Sequence, residues 1–300
     1  MSSDNTLPNA TQSEESEALQ QLIQVVTNLD PVQVELLTEV ATVMMRRVEE
    51  TISRGSDLVT PRFAANFRNR LLIHHATNES KLTKKAFEYA FKGASEADGK
   101  TGFITPSDTL SGADVTVDGI RFSLKMEASK DIKAEQIAIS KFTEAQWIQK
   151  EVEFADLPKR KKTLDELAGE AANRIPAHLN NYDRLLVLRV IELSAARLRY
   201  EIVEIPRSLL QRVASLTVAD FTPLTKGGGT SAKATIDGKP AFTLRLDGSD
   251  GKITFASLQI AFCIRHAFWI IPTVTPAPEE ESVEEVDTDL FSPAETPPGD

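Results

Sequence analysis

Residues 112–129 read GADVTVDGIRFSLKMEAS, and apolar and polar side chains alternate on both sides of Asp118-Gly119. Asp-Gly between two alternating runs is the strongest short-range signal for a two-residue β-hairpin turn. That turn pairs Val117 with Ile120, Thr116 with Arg121 and Val115 with Phe122, and sets Asp114 opposite Ser123. Side chains two apart on a strand return to the same side of a sheet. Asp114, Ser123, Lys125 and Glu127 therefore share one face, while Val115, Val117, Phe122, Leu124 and Met126 share the other. The apolar face belongs to a core. The polar face gathers two carboxylates, a hydroxyl and an ammonium group, a set suited to holding Mg²⁺ and a water activated against a phosphodiester. A solvated hairpin face has the same pattern.

Upstream, LTKKAFEYAFKGASEADG (82–99) places Phe87, Ala90, Phe91 and Ala94 on one side of a helix that ends at Gly99. Downstream come the apolar run QIAISKF, a helix over about 143–153, and a second over about 163–178. The β-rich runs RLLVLRVIEL and RLRYEIVEIP follow, then a helix opened by Pro206 and the strand candidates SAKATI, AFTLRL, KITFASL and CIRHAFWII. Hairpin-connected strands mixed with helices predict a mixed α/β fold, a central sheet flanked by helices. Residues 18–54 read as two helices. The first carries Leu19, Leu22, Ile23 and Val26; the second opens at Asp30-Pro31 with Gln33 and carries Leu37, Val40, Met44, Val48 and Ile52. Their stripes must cover either the main core or a second copy of the chain.

The chain of 300 residues has a formal net charge of −10, but its ends carry most of it. Residues 1–17 hold four acids and no Lys or Arg, and residues 274–300 hold nine acids and none, so residues 18–273 are left at +3. The expected organisation is a disordered 1–17, a helical segment 18–56 that could form a dimer contact, a main domain 57–273 and a disordered acidic tail 274–300. No apolar run approaches a membrane span and no signal peptide is visible, so neither membrane insertion nor secretion is indicated. A single cysteine, Cys263, rules out an internal disulfide and fits a cytoplasmic protein.

An Asp at a strand start, a hairpin, a strand carrying Lys after a short spacing and a preceding helix with Glu88 resemble the PD-(D/E)XK nuclease superfamily, and within it the type II restriction endonucleases. The likeness extends over FEYAF (87–91), SLKMEASKDIKAEQIAISKF (123–142), RYEIVEIPRSLL (199–210), LDGSDGKITF (246–255) and CIRHAFWIIP (263–272), from about residue 70 to 272. It implies a restriction-endonuclease-like core and Mg²⁺-dependent, sequence-specific cleavage of double-stranded DNA by a homodimer, without a nucleotide cofactor. It also implies Asp114 as the metal-binding aspartate, Lys125 as the lysine that orients or activates the attacking water, and Glu88 as the helical glutamate supporting the metal. One position departs. Ser123 stands where most members have Asp or Glu, so the missing negative charge must come from elsewhere. Glu127, on the same face, is the nearest substitute and Glu135 the next. A non-cleaving DNA-binding relative, or an interaction module docking through its acidic tail, are the alternatives.

Further DNA-contact candidates are Lys141, the basic run Lys159-Arg160-Lys161-Lys162, and Lys226 and Lys233 around Gly227-Gly228-Gly229. That glycine loop lacks the strand-to-helix setting and Lys-Ser or Lys-Thr of a nucleotide-binding loop. His74, His75, His178 and His266 are scattered without zinc-ligand spacing, and Cys263 with His266 reads as part of a buried strand.

Overall fold

In the computed structural model, which describes residues 10–106, 112–149, 152–154 and 157–273, Asp118 and Gly119 both take positive φ, 47° and 81°. Both central residues of a type I′ turn require that conformation. The turn joins β3 (Val115–Val117) to β4 (Ile120–Glu127) in the expected register, Val117 with Ile120 and Val115 with Phe122. β4 then pairs in parallel with β8 (Arg184–Ser194), which pairs antiparallel with β9 (Arg197–Ile205). With β13 (Ile264–Pro272), β1 (Glu49–Ile52) and β2 (Gly102–Ile104) these strands form a seven-stranded mixed sheet ordered β1-β13-β9-β8-β4-β3-β2. β10 (Thr230–Ile236), β11 (Lys239–Asp247), β12 (Lys252–Gln259) and β5 (Gln136–Glu144) make a second, antiparallel sheet.

β8 explains how the layers stack. Its run of apolar residues is buried on both sides, as expected of a central strand with both faces covered. Leu186, Leu188 and Val190 join a cluster with Phe63, Phe67, Phe87, Phe91 and Trp269, under α3 (Pro61–Thr77) and α4 (Lys84–Ala97). Leu185 and Val187 join a second cluster with Phe142, Ile175 and Phe255, beneath α5 (Leu164–Leu179) and the four-stranded sheet. The fold is thus the expected mixed α/β, restriction-endonuclease-like architecture.

Four local expectations are corrected. The stripe assigned to one helix through Ile52 divides: α2 (Pro31–Met44) ends early and Glu49–Ile52 becomes the edge strand β1. β-branched Thr51 and Ile52 pair with Phe268 and Ala267, so sheet pairing overrides helical periodicity, and the main sheet begins before residue 57. Residues 10–17 open α1 (Ala10–Val26) instead of lying in a disordered end, because Gln, Glu and Ala favour helix whatever their net charge. No helix spans 143–153. β12 captures Thr143 and Glu144 by pairing, and only a 3₁₀ turn follows at Gln146–Ile148 before β6 (Val152–Phe154), which pairs with β7 (Leu157–Arg160). The sequence reading also missed α3, whose Thr60 N-cap, Pro61 and Phe63, Phe67, Leu71 spacing are an ordinary helix signature. Residues 1–9 and 274–300 lie outside the described residues.

α2 keeps its predicted start: Asp30 caps Gln33 reciprocally and Pro31 opens the first turn. Its stripe is not absorbed by the core. Val43 is its one buried residue, while Leu36 and Leu37, with Leu19, Leu22, Ile23 and Val25 of α1, are exposed.

A buried polar relay beside the aromatic core gives the fold a pH signature. The Leu82 N–H donates to the Tyr200 hydroxyl, and that hydroxyl lies 2.8 Å from His75 Nε2. His75 Nδ1 faces the Asn78 carbonyl at 3.3 Å, so a neutral ring satisfies both nitrogens by accepting from Tyr200 and donating to Asn78. Burial, helped by the neighbouring His74, lowers the His75 pKa from 6.5 to about 4. The unfolded chain takes up this proton below about pH 6.5 and the native one only near pH 4, so stability falls as pH drops through that window, by about 3 kcal/mol for this group. His75→Gln should flatten the acid limb, measured by urea unfolding at pH 7 and pH 4.5; an unchanged slope would remove His75 as its source.

Candidate active site

The hairpin, the first turn of α4 and the end of α5 converge on one polar cluster. Asp114 immediately precedes β3, its N–H donating to the Phe122 carbonyl at 2.8 Å, which sets its side chain over the start of β4. Asp114 Oδ2 accepts from the Leu124 N–H at 2.6 Å and lies 3.4 Å from the Ser123 hydroxyl. Asp114 Oδ1 accepts from Lys84 Nζ at 2.7 Å. Glu88, one turn into α4 and almost wholly buried, meets the same Lys84 ammonium at 3.4 Å and Lys85 at 3.0 Å. Two carboxylates from separate elements thus converge on one positive charge.

Lys125 projects from β4 on the face of Ser123, as the hairpin register requires. Burial pushes its ammonium pKa down, and the charges of Lys84 and Lys141 push the same way against Asp114 and Glu88. Among the described residues it makes no hydrogen bond or ion pair. Lys141 is exposed on β5 and pairs with Glu144 at 2.7 Å. His178, near the end of α5, is held below its usual pKa by burial and by the charge of Lys125. Tyr182 is buried, among the described residues its hydroxyl has no partner, and burial raises its pKa, reinforced by Asp114 and opposed by Arg207.

Glu127 is not brought to this cluster. Its position four residues beyond Ser123 puts it about 13 Å further along the strand. There it accepts from Arg189 Nε at 2.8 Å and from the Ala138 N–H at 2.7 Å. Both oxygens are engaged, and burial raises its pKa against the pull of Arg189. Glu135 lies beyond that contact, exposed and facing Arg265. The carboxylate that accompanies Asp114 is Glu88, which reaches in from the helix. Lys84 was overlooked in the sequence, although its spacing of four from Glu88 on one helix face is a visible signal.

The basic candidates separate by what they touch. Arg160 forms a two-pronged pair with Glu166, 2.8 Å at each contact, and Lys162 is buried against Glu170 and the Trp147 carbonyl. Lys161 and Lys226 are exposed and adjacent, the Lys161 ammonium lying 3.4 Å from the Lys226 carbonyl, so the basic run and the glycine loop meet on one surface. A Cβ on Gly248 would lie 2.3 Å from the Gly227 carbonyl oxygen, so this loop pair can close only with glycine. Lys233 is exposed on β10, and the side chain of Lys159 lies outside the described residues.

Elsewhere, Asp57, Glu204 and His266 place three ligand-type atoms within 4.8 Å of one another. Arg184 already pairs with both carboxylates, and His266 bridges Glu204 at 3.1 Å and Ser56 at 3.0 Å, which makes this a self-neutralised structural cluster. Burial pushes the Cys263 thiol up to about 12, leaving no thiolate nucleophile.

A comparison with known families matches residues 22–271 to the SmaI family, described as type II site-specific deoxyribonuclease. Among curated proteins, the type II restriction enzyme SmaI of Serratia marcescens is 31% identical over 226 residues, covering 74% of this chain and 85% of the relative. No solved structure matches the chain. Among the described residues, no helix is long and apolar enough to cross a membrane.

Proposed function

Given that the chain belongs to the SmaI family of type II site-specific deoxyribonucleases, we propose that Asp114, Glu88 and Lys125 form the centre at which it hydrolyses DNA, with Mg²⁺ as cofactor. The observation that carries this reading is the convergence of Asp114 and Glu88 on a single cation, the Lys84 ammonium, beside Lys125. A hard oxygen donor pair of this kind suits Mg²⁺. When bound between the two carboxylates, the ion would supply Lewis-acid stabilisation of the charge that builds on the phosphate. Lys125, enclosed beside Asp114, orients the attacking water. Lys141 offers a second positive charge to the phosphate. Ser123 has no negative charge to offer a metal; its hydroxyl faces the Asp114 carboxylate at 3.4 Å. Lys161 and Lys226 extend the basic surface along the DNA backbone.

The choice between helical and strand carboxylates can be tested directly. Glu88→Gln should reduce plasmid cleavage by about a hundredfold or more, as loss of one charge-stabilising group does. Glu127→Gln, compared at equal folded fraction, should retain cleavage within about threefold because it acts only on packing. Excess chelator should abolish activity and Mg²⁺ restore it. The reverse ranking of the two variants would move the metal site to Glu127.

The uncovered stripes of α1 and α2 support a homodimer that brings two such centres to a palindromic site. Leu22, Ile23 and Leu36 are each more than half exposed in the single chain, a costly arrangement without a partner. Leu22→Glu combined with Leu36→Glu should therefore yield a folded monomer, read by sedimentation equilibrium. A wild-type protein that is monomeric both free and on DNA would remove the dimer.

A further inference from the structure

We propose that Lys84 is an internal counter-cation that holds the metal position in the DNA-free enzyme, and that it must withdraw before a divalent ion can be held by Asp114 and Glu88. The inference rests on the metal-site reading above and goes beyond it by assigning a role to a residue outside the acid-lysine set.

Three observations lead to it. The Lys84 ammonium is shared between Asp114 at 2.7 Å and Glu88 at 3.4 Å, so it sits where those carboxylates would jointly grip an ion. Helix stability does not explain its presence. Lys84 is the first residue of α4, directly after the Thr83 N-cap, and a cation there opposes the positive end of the helix dipole. The two acids do explain it: Glu88 is almost fully buried, and although Lys85 also meets it at 3.0 Å, Lys84 is the cation set between Glu88 and Asp114 in a partly dehydrated site. Lys84 is also free to leave. Its side chain is 46% exposed and its flexible stem starts at a helix end, whereas Lys125 on β4 is enclosed.

An ammonium and a divalent ion cannot occupy one position, and at contact distance their like charges repel. Lys84 therefore competes with metal for Asp114 and Glu88. An arriving DNA phosphate offers the displaced ammonium another anion, so metal entry becomes coupled to the presence of substrate. The device keeps the free enzyme poor in metal and the acids neutralised.

Lys85 supplies the control, because it also touches Glu88, at 3.0 Å, and among the described residues it forms no ion pair with Asp114. The experiment measures Mn²⁺ binding to the full-length, DNA-free protein by electron paramagnetic resonance and by calorimetry, without reference to activity. Lys84→Met should bind Mn²⁺ at least about tenfold more tightly than wild type, while Lys85→Met, with the same change in net charge, should stay within about threefold. Equal gains in both variants would mean a general charge effect and would overturn the proposal, as would unchanged or weaker binding in Lys84→Met. Asp114→Asn in the Lys84→Met background separates the two readings. Loss of Mn²⁺ there upholds the metal site whatever the lysine does, and undiminished Mn²⁺ binding there defeats the metal-site reading itself.

Discussion

Asp114→Asn and Lys125→Ala should each lower cleavage of specific DNA by about a thousandfold or more, the scale expected when a group acting on the reacting phosphate and water is lost. Specific binding in Ca²⁺ should stay within a few-fold, since neither side chain is placed for base readout. Asn is the cleaner replacement at 114. Asp114 Oδ2 accepts from the buried Leu124 N–H at 2.6 Å, and an amide oxygen preserves that bond while removing the charge. Ala would also orphan a backbone donor and mix a folding defect into the result. For Lys125, among the described residues no hydrogen bond or ion pair is lost on truncation, so the loss reads on chemistry. Plasmid digestion beside a gel shift measures both quantities; a purified variant that cuts at the wild-type rate would place the centre elsewhere.

The largest structural effect should come from Arg189→Met. Arg189 is wholly buried, with Nε on Glu127 at 2.8 Å, Nη1 on Glu201 at 3.1 Å and the Ala134 carbonyl at 3.3 Å, and Nη2 on the Lys133 and Gln136 carbonyls at 2.7 and 3.0 Å. Removing it leaves Glu127 without its partner in the interior and three carbonyls short of a donor. Stranding a buried charge in this way costs about 3–5 kcal/mol, a large share of the roughly 5–15 kcal/mol that holds a domain together. The variant should lose most of its melting transition or fail to accumulate. Adding Glu127→Gln should recover part of the loss, because that carboxylate is then neutral, while Glu201 keeps Arg199 and Arg265. A single variant within about 1 kcal/mol of wild type would show that the network is dispensable. Arg189 also matters to the site indirectly, since it ties the 133–136 segment, and so the start of β5 with Lys141 beyond it, to the central sheet.

These two sites mark what the sequence could and could not reveal. Local alternation and an Asp-Gly turn were enough to specify the hairpin, its register and the face that Asp114, Ser123 and Lys125 share, because strand period and turn type are set within a few residues. β8 was legible for a related reason: an apolar run rich in Val, Ile and Leu suits a strand buried on both faces. Glu127 sits apart from Asp114 because face-sharing reports direction and not distance, and because Arg189 reaches it from 62 residues away in the chain. β1 was hidden inside a helical stripe, since Ile52 satisfies both periods and only pairing with β13 decides between them. Lys84 was legible in principle as a neighbour of Glu88, but its contact with Asp114 spans 30 residues and depends on how α4 packs across the hairpin.

Whether a divalent metal is held by Asp114 and Glu88 can be read by iron-directed cleavage of the protein itself. Fe²⁺ substituted for Mg²⁺ in the DNA complex, with ascorbate and peroxide, generates oxidant at the bound ion and cuts nearby backbone. Cuts are expected around residues 84–88 and 114–125, suppressed by excess Mg²⁺ and absent in Asp114→Asn. Cuts around Asp57, Glu204 and His266, or around Glu127 and Ala138, with the 84–88 and 114–125 segments intact, would contradict a metal held by Asp114 and Glu88.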